Sequence, residues 1–563
     1  MAHNDARPDF RFLDPNLQAL DRLQPELAER LHLPVEGWRL THDADQGWTY
    51  RIHETRHPIS LSGEQAQDGL PELPATFEGT LLLFGVGLGE LVSAAFESFP
   101  RASIIAWERD PWVLRQALAV RDWGAFFESG RVRLELGADL VPVLERGGHD
   151  AVAWHPFLSR VYRNERSLVQ DGVGERRALM CTGGFFVESF ADALRAEGFS
   201  IYTLDVKNIA SEESDHAVRQ VRPEILGCIN SVNGLAEFCE RHELDSITWQ
   251  VDPEVDEPDE LPEASSRSHV FTFRQANLSS FRQAGYDHVE YMPLAADPDI
   301  WRPLELDEAQ LERYGSEVSF VGSSMAGNVG RFHNAFLEQF TAWGELQEPG
   351  KTVLRELLEE QRGDFSTYVI PGLLDRWTPG FREHSMSRGW VDPAALVAEI
   401  SAAEKRLNYL AELGDYDLAV WGDEGFRRLE DHGVDYRGLA AHEVELPKIY
   451  NATRINLDIG RLYQSNVVTM RAFDVIASGG FVLVEHSEAL EELFRVGVEV
   501  ESYQDLVELR TKLDYYLARP EEAQAIAERG RAAVLERHTI RKRVQHMLNS
   551  FDRAQGSRAS SAA

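Results

Sequence analysis

From Gly79 to the C-terminal helices the chain alternates short apolar runs with amphipathic stretches, and this constrains its fold more than any other feature. TLLLF (80–84) reads as a strand, LGELVSAAFESF (88–99) as a helix, ASIIAWE (102–108) as a strand and PWVLRQALAV (111–120) as a helix, with VRLELG and AVAWHPF as further strands. A second series begins near residue 175 with ALMCTG, FFVESFADALRAEG and FSIYTLD, and continues through EILGCIN, SITWQVD, HVFTFR and HVEYMPL. A third opens at EVSFVGS (317–323), pauses for helices over 325–415, and resumes with DLAVWGD, RINLDIG and FVLVEHS. Alternating strands and helices dictate parallel, doubly wound sheets, because each return crossover lays a helix on a sheet face.

At 563 residues the chain exceeds one hydrophobic core. The shifts of pattern divide it into a helical or irregular region (1–75), a Rossmann-like unit (76–174), a second (175–300), a third (301–552) with the helical insertion 325–415, and a disordered tail (553–563). DPEVDEPDELPE (252–263) reads as a solvated loop. The net charge of −36 excludes a nucleic-acid partner, since no Lys/Arg-rich run supplies a basic groove. A diphosphate differs, because a few N–H groups and one or two arginines hold it locally. Three cysteines without ligand spacing suggest neither a disulfide framework nor a zinc site. With no signal-like start and no run of about 18 apolar residues, the expectation is a cytoplasmic protein without a membrane span.

The most informative segment is SNVVTMRAFDVIASGGFVLVEH (465–486). Thr469–Ser478 reads as a helix, Gly479–Gly480 as its C-cap and Phe481–Val484 as the next strand. Arg471 and Asp474 share one face near the helix start. A helix N-terminus attracts phosphate oxygens, an arginine forks onto a diphosphate, and a carboxylate one turn later accepts both hydroxyls of a ribose. On spacing alone, a surface ion pair between the two is the favoured reading, which only a family resemblance reverses.

This block resembles the C-terminal domain of the CgeB-like glycosyltransferases, a branch of the GT-B class. The parts that carry the resemblance are INLDIG (455–460), MRAFD (470–474), ASGGFVLV (477–484), EALEELF (488–494) and the terminal helices 496–539. FVGSS (320–324), LAVWGDEGF (418–426), PLAADPDIWRP (293–303) and SITWQVD (246–252) agree in order, so the likeness spans about 175–550. It implies two Rossmann-like domains facing a cleft, preceded by an additional Rossmann-like α/β domain, and a nucleotide-sugar donor whose base (UDP, GDP, dTDP or CMP) stays open. It implies donor contacts at Arg471 for the diphosphate, Asp474 for the ribose, and Gly322, Ser323 and Asn466. Many retaining relatives carry two glutamates eight positions apart here; this chain has Asn466 and Asp474, so retention and inversion both stay open.

Gly183 and Gly184 follow a strand and precede a helix, a turn that suits close approach to a phosphate or sugar and equally a turn without ligand. Asp252 ends a strand where open parallel sheets place ligands, which makes it the candidate general base, with a purely structural turn as the alternative. Asp297–Pro298–Asp299 matches the D-x-D cation motif, but its Pro-rich setting argues against metal, so no metal or cofactor is required. His155 reads as packed among aromatic neighbours.

Gly85, Gly87 and Gly89 lie between a strand and a helix, and Glu108 ends the next strand, a setting in which an acid binds ribose hydroxyls. This unit resembles the cofactor half of S-adenosylmethionine-dependent methyltransferases and the related unit of motility-associated glycosyltransferases that modify flagellin. That resemblance implies a flagellin-like or other surface-protein acceptor, with methyl transfer or a non-catalytic nucleotide-binding scaffold as alternatives. Residues 1–75 are a candidate for mediating a homodimer.

Overall fold

The computed structural model describes residues 11–33, 40–43, 47–52, 55–206, 208–252, 261, 263–464 and 466–562. Most of the acidic loop 252–263 therefore lies outside the described residues. The chain forms two compact units: Met1–Thr248 with Arg267–His269, and Trp249–Ser266 with Val270–Ala563. The fold is mixed α/β, built on parallel sheets of the Rossmann type.

The first unit opens with helices Leu13–Leu23 and Pro25–His32, divided where Pro25 starts a new first turn. Next comes a three-stranded antiparallel sheet of β1 (Leu40–Asp43), β2 (Gly47–Ile52) and β3 (Thr55–Pro58), in a region expected to be helical or irregular. Its signal is the period of two at Trp48, Tyr50 and Ile52, too short to stand out among polar residues. The strands β4 (Thr80–Phe84), β5 (Ser103–Glu108), β6 (Val132–Leu136) and β7 (Ala151–Trp154) then form an all-parallel sheet in the order β6-β5-β4-β7. Both faces are covered, which explains the unbroken apolar run of β4. Leu81 and Leu83 pack with Leu17, Leu20 and Leu27, while Leu82 and Phe84 pack with Tyr50, Trp107 and Tyr162. β8 (Arg177–Cys181) pairs in parallel with β9 (Ser200–Leu204) and β10 (Ile225–Ile229). All three cysteines are buried free thiols.

The unit boundary falls within β11 (Asp245–Gln250) and β12 (Ser268–Thr272), and β13 (His288–Tyr291) is the neighbour of β12. The second unit's main sheet contains β14 (Ser316–Val321), β15 (Leu418–Trp421), β16 (Asp435–Tyr436), β17 (Thr453–Asp458), β18 (Val482–Glu485) and β19 (Glu501–Tyr503). It is parallel throughout, in the order β16-β15-β14-β17-β18-β19. Counted from its own first strand this is 3-2-1-4-5-6, the dinucleotide-fold order, whose topological switch point lies between β14 and β17. Between β14 and β15 run five helices, from Ala326–Trp343 to Pro393–Ala411, with an apolar core of their own. The last helix, Ile540–Ala562, replaces the disordered tail expected from 553. Its Ala, Arg and Gln residues are strong helix formers that extend a helix already nucleated upstream.

Candidate functional site

The helix Met470–Ala477 starts at Thr469, whose side chain accepts the Ala472 N–H and donates from Oγ1 to Asp458 Oδ2 at 2.9 Å. It ends at Ser478 and Gly479, the glycine at φ +81. Arg471, in its first turn, reaches both strands of the switch point. Its Nε donates to the Val321 carbonyl at 2.6 Å and its Nη1 to Asp458, the buried last residue of β17. The guanidinium also lies 4.8 Å over the Phe320 ring. Gly322 lets the guanidinium come close, since a Cβ there would stand 2.8 Å from Arg471 Nη2 and displace that end of the side chain.

A second arginine makes the same crossing. Arg406, on Pro393–Ala411, donates to the Ser323 carbonyl at 2.6 Å and the Ile459 carbonyl at 2.9 Å, just past β14 and β17. It is buried, its Nε has no hydrogen-bond partner, and no carboxylate among the described residues forms an ion pair with it. Burial first, then Arg471 and Arg461, push it down to about 9. Asp458 opposes that fall without forming an ion pair with it. The preceding residue on that helix, buried Lys405, pairs with Glu485 at the end of β18, whose other oxygen accepts the Gly460 N–H at 3.1 Å. Asp423, past β15, accepts Ser323 Oγ, the Ser324 N–H and hydroxyl, and the Gly425 N–H; these bonds hold it below the usual carboxylate range against the cost of burial.

The sequence did not single out Asp458, Arg406, Lys405, Glu485 or Asp423. Only the position of Asp458, Asp423 and Glu485 at or just beyond apolar strands hinted at a role. Nothing distinguished Arg406 within an amphipathic helix.

The other expected site residues are placed as follows. Arg471 and Asp474 do not pair on the surface; the partner of Arg471 is Asp458. Asp474 is buried with Oδ1 lacking a hydrogen-bond partner, and burial drives its carboxyl well above the usual range, Asp297 adding to the rise and Arg471 opposing it. Ser323 has its hydroxyl committed to Asp423, and Asn466 Oδ1 accepts the Ala489 N–H at 2.7 Å. Gly183 and Gly184 form the exposed turn after β8, but the left-handed residue there is Phe186 at φ +68, not a glycine. Asp252 is exposed just beyond β11. Asp297 Oδ1 accepts the Asp299 N–H, and among the described residues no group of three His, Cys, Asp or Glu side chains is arranged to hold a metal ion.

In the first unit, Glu108 departs most from expectation. It is fully buried and turned onto its own glycine loop, where Oε2 accepts the Val86 N–H at 2.9 Å and the Gly87 N–H at 3.2 Å. Burial, with Asp110 adding, pushes the carboxyl up to about 7, against hydrogen bonds from Tyr162 and the backbone. His155 is buried against this turn, and its Nδ1 accepts the Leu158 N–H at 3.1 Å.

Residues 400–549 match the family model described as glycosyl transferase-like, a span that includes Arg406, Asp423, Asp458 and Arg471. No curated protein matches the chain in sequence. Among solved structures, the chain is similar to Anabaena Alr3699/HepE in complex with UDP and glucose (11% identity, 84% of this chain and 99% of that one, TM-score 0.35). It is also similar to sucrose-phosphate synthase from Thermosynechococcus elongatus (11%, 68% and 100%, TM-score 0.41). A third likeness is to the MAf glycosyltransferase from Magnetospirillum magneticum AMB-1 (13%, 52% and 58%, TM-score 0.22). Likenesses this remote transfer neither a substrate nor a residue role. No described helix is long and apolar enough to cross a membrane.

Proposed function

We propose that the chain is a nucleotide-sugar glycosyltransferase of the GT-B type whose donor binds at the β14/β17 switch point. The observation that carries this reading is the pair Arg471 and Arg406, which both bridge the two strand ends, Arg406 without an ion pair to any carboxylate among the described residues. In a chain of net charge −36, two arginines sharing one nearby carboxylate, Asp458, at a sheet's ligand-binding edge suit an anion supplied from outside. The glycosyl transferase-like match over 400–549 makes the diphosphate of a sugar donor the fitting anion.

In the reaction, the acceptor hydroxyl oxygen forms a bond to the sugar's anomeric carbon while the bond from that carbon to the diphosphate oxygen breaks. The departing oxygen gathers negative charge, which Arg471, Arg406 and the N-terminus of Met470–Ala477 offset without reorganising. The acceptor proton passes to a base, for which Asp252 is the proposed residue. Asp474, one turn into the helix, is the proposed ribose contact. The proposal extends to a metal-independent enzyme of the cytoplasm, homodimeric through its N-terminal region, acting on a protein such as flagellin or another surface component. That acceptor rests only on the resemblance of residues 76–174.

The test is calorimetric titration and thermal stabilisation with UDP, GDP, dTDP, CMP and S-adenosylmethionine. At about 100 times its dissociation constant a ligand adds about 2.7 kcal/mol to the native state. Stabilisation by one nucleotide, lost in Arg406→Gln and Arg471→Gln, supports the reading. Indifference to every nucleotide, or binding unaffected by both substitutions, overturns it.

A further inference from the structure

The glycine turn Gly85–Gly89 has the backbone of a cofactor-binding loop: it follows the first strand of a parallel sheet, and Gly85, Gly87 and Gly89 all have positive φ. In such a loop the free N–H groups face the cofactor's anion, and the acid ending the second strand faces its ribose. Here the acid and the N–H groups have met each other.

We infer that this site is liganded from within: the Glu108 carboxylate occupies the anion position of the turn, so the domain binds neither S-adenosylmethionine nor a dinucleotide and serves as a structural unit.

Both oxygens of Glu108 are committed. Oε2 accepts the Val86 and Gly87 N–H groups, while Oε1 accepts the Tyr162 hydroxyl at 2.5 Å and the Arg109 N–H at 3.0 Å. The surroundings close over this centre. Tyr50 from β2 donates to Asp110 Oδ2 at 2.8 Å, and the Arg109 guanidinium stacks 4.0 Å over the Tyr162 ring while pairing with Asp110. Across the turn stands His155: a Cβ on Gly87 would come within 2.5 Å of its Nε2, and one on Gly85 within 3.0 Å of its Cβ. The approach that glycines ordinarily leave for a ligand is taken by an imidazole. The groups a cofactor half requires are all present, but they satisfy one another. This inference is independent of the donor site in the second unit.

The experiment uses the full-length protein in two arms. Equilibrium dialysis with labelled S-adenosylmethionine and with NAD⁺, at ligand concentrations up to about 1 mM, is expected to show no saturable binding. Saturable binding of either that is lost in Glu108→Gln overturns the inference. Amide hydrogen exchange reads the internal ligand directly. Val86 and Gly87 are expected to be protected, and to exchange about tenfold faster in Glu108→Gln, the equivalent of one lost buried hydrogen bond. Gln cannot substitute, because one of its two terminal atoms is an NH₂ and each Glu108 oxygen faces donors. Fast exchange at both amides in the unmodified protein would show the turn to be open and refute the assignment even if no ligand bound.

Discussion

Replacing Asp474 by asparagine is expected to stabilise the second unit, by an amount that grows with pH. The carboxyl is 1% exposed, Oδ1 has no hydrogen-bond partner, and burial holds its pKa well above the usual value, Arg471 offsetting only part of that cost. Below the unfolded pKa of about 3.9, folded and unfolded chains both carry the proton and the site imposes no differential cost. Above it the unfolded chain releases the proton while the folded one retains it. Unfolding is then favoured by about 1.4 kcal/mol for every pH unit, until the folded carboxyl itself ionises. Asparagine keeps the shape and neutrality of the protonated side chain and has nothing to titrate. The stability difference between variant and wild type should thus be small near pH 4 and widen by about 1.4 kcal/mol per unit above it. The assay is urea unfolding of both proteins across about pH 4.5 to 7, following the transition of the unit that carries Asp474. A difference that stays flat with pH would mean that the folded carboxyl is ionised, and the argument from burial would fail. If Asp474 also meets a ribose, the stabilised variant should bind nucleotide more weakly, a trade common at functional sites.

Thr469→Ala removes a helix cap and a hydrogen bond to Asp458, so about 1–2 kcal/mol of stability should be lost in denaturant titration, while Thr469→Ser should lose little; equal losses would refute the capping role. Gly322→Ala should leave stability within about 1 kcal/mol, because the far end of Arg471 can yield, but the displaced guanidinium should weaken nucleotide binding about tenfold by calorimetry; unchanged affinity would remove Arg471 from the donor site. Lys405→Met strands the carboxylate of Glu485 and should cost about 3 kcal/mol, much of it recovered in Lys405→Met with Glu485→Gln, which keeps an acceptor for the Gly460 N–H. Strict additivity of the two substitutions would show that the pair is not coupled.

From Gly79 onward the sequence alone determined most strands and their parallel class, but not the antiparallel β1–β3. Runs such as LLLF (81–84) and LAVW (418–421) are apolar at every position because both sheet faces are covered, and that implies parallel sheets with crossover helices. It also determined the helix that carries Arg471, since Thr469 and Gly479 mark its ends by local hydrogen bonding and by tolerance of positive φ. Which groups meet was decided by tertiary structure. Arg471 pairs with Asp458 rather than its helix neighbour Asp474, and Arg406 arrives from a helix between the first and second strands of the sheet. The physical reason is that periodicity records which face of an element is buried, whereas a charged side chain's partner depends on strand order. That order is fixed by pairings such as Ser319 with Asn456, 137 residues apart in the chain. Glu108 makes the same point in the other unit. Its spacing from the glycine turn suits a ribose and an internal hydrogen bond equally well, and the packing of Tyr50, Tyr162 and His155 around it selected the second.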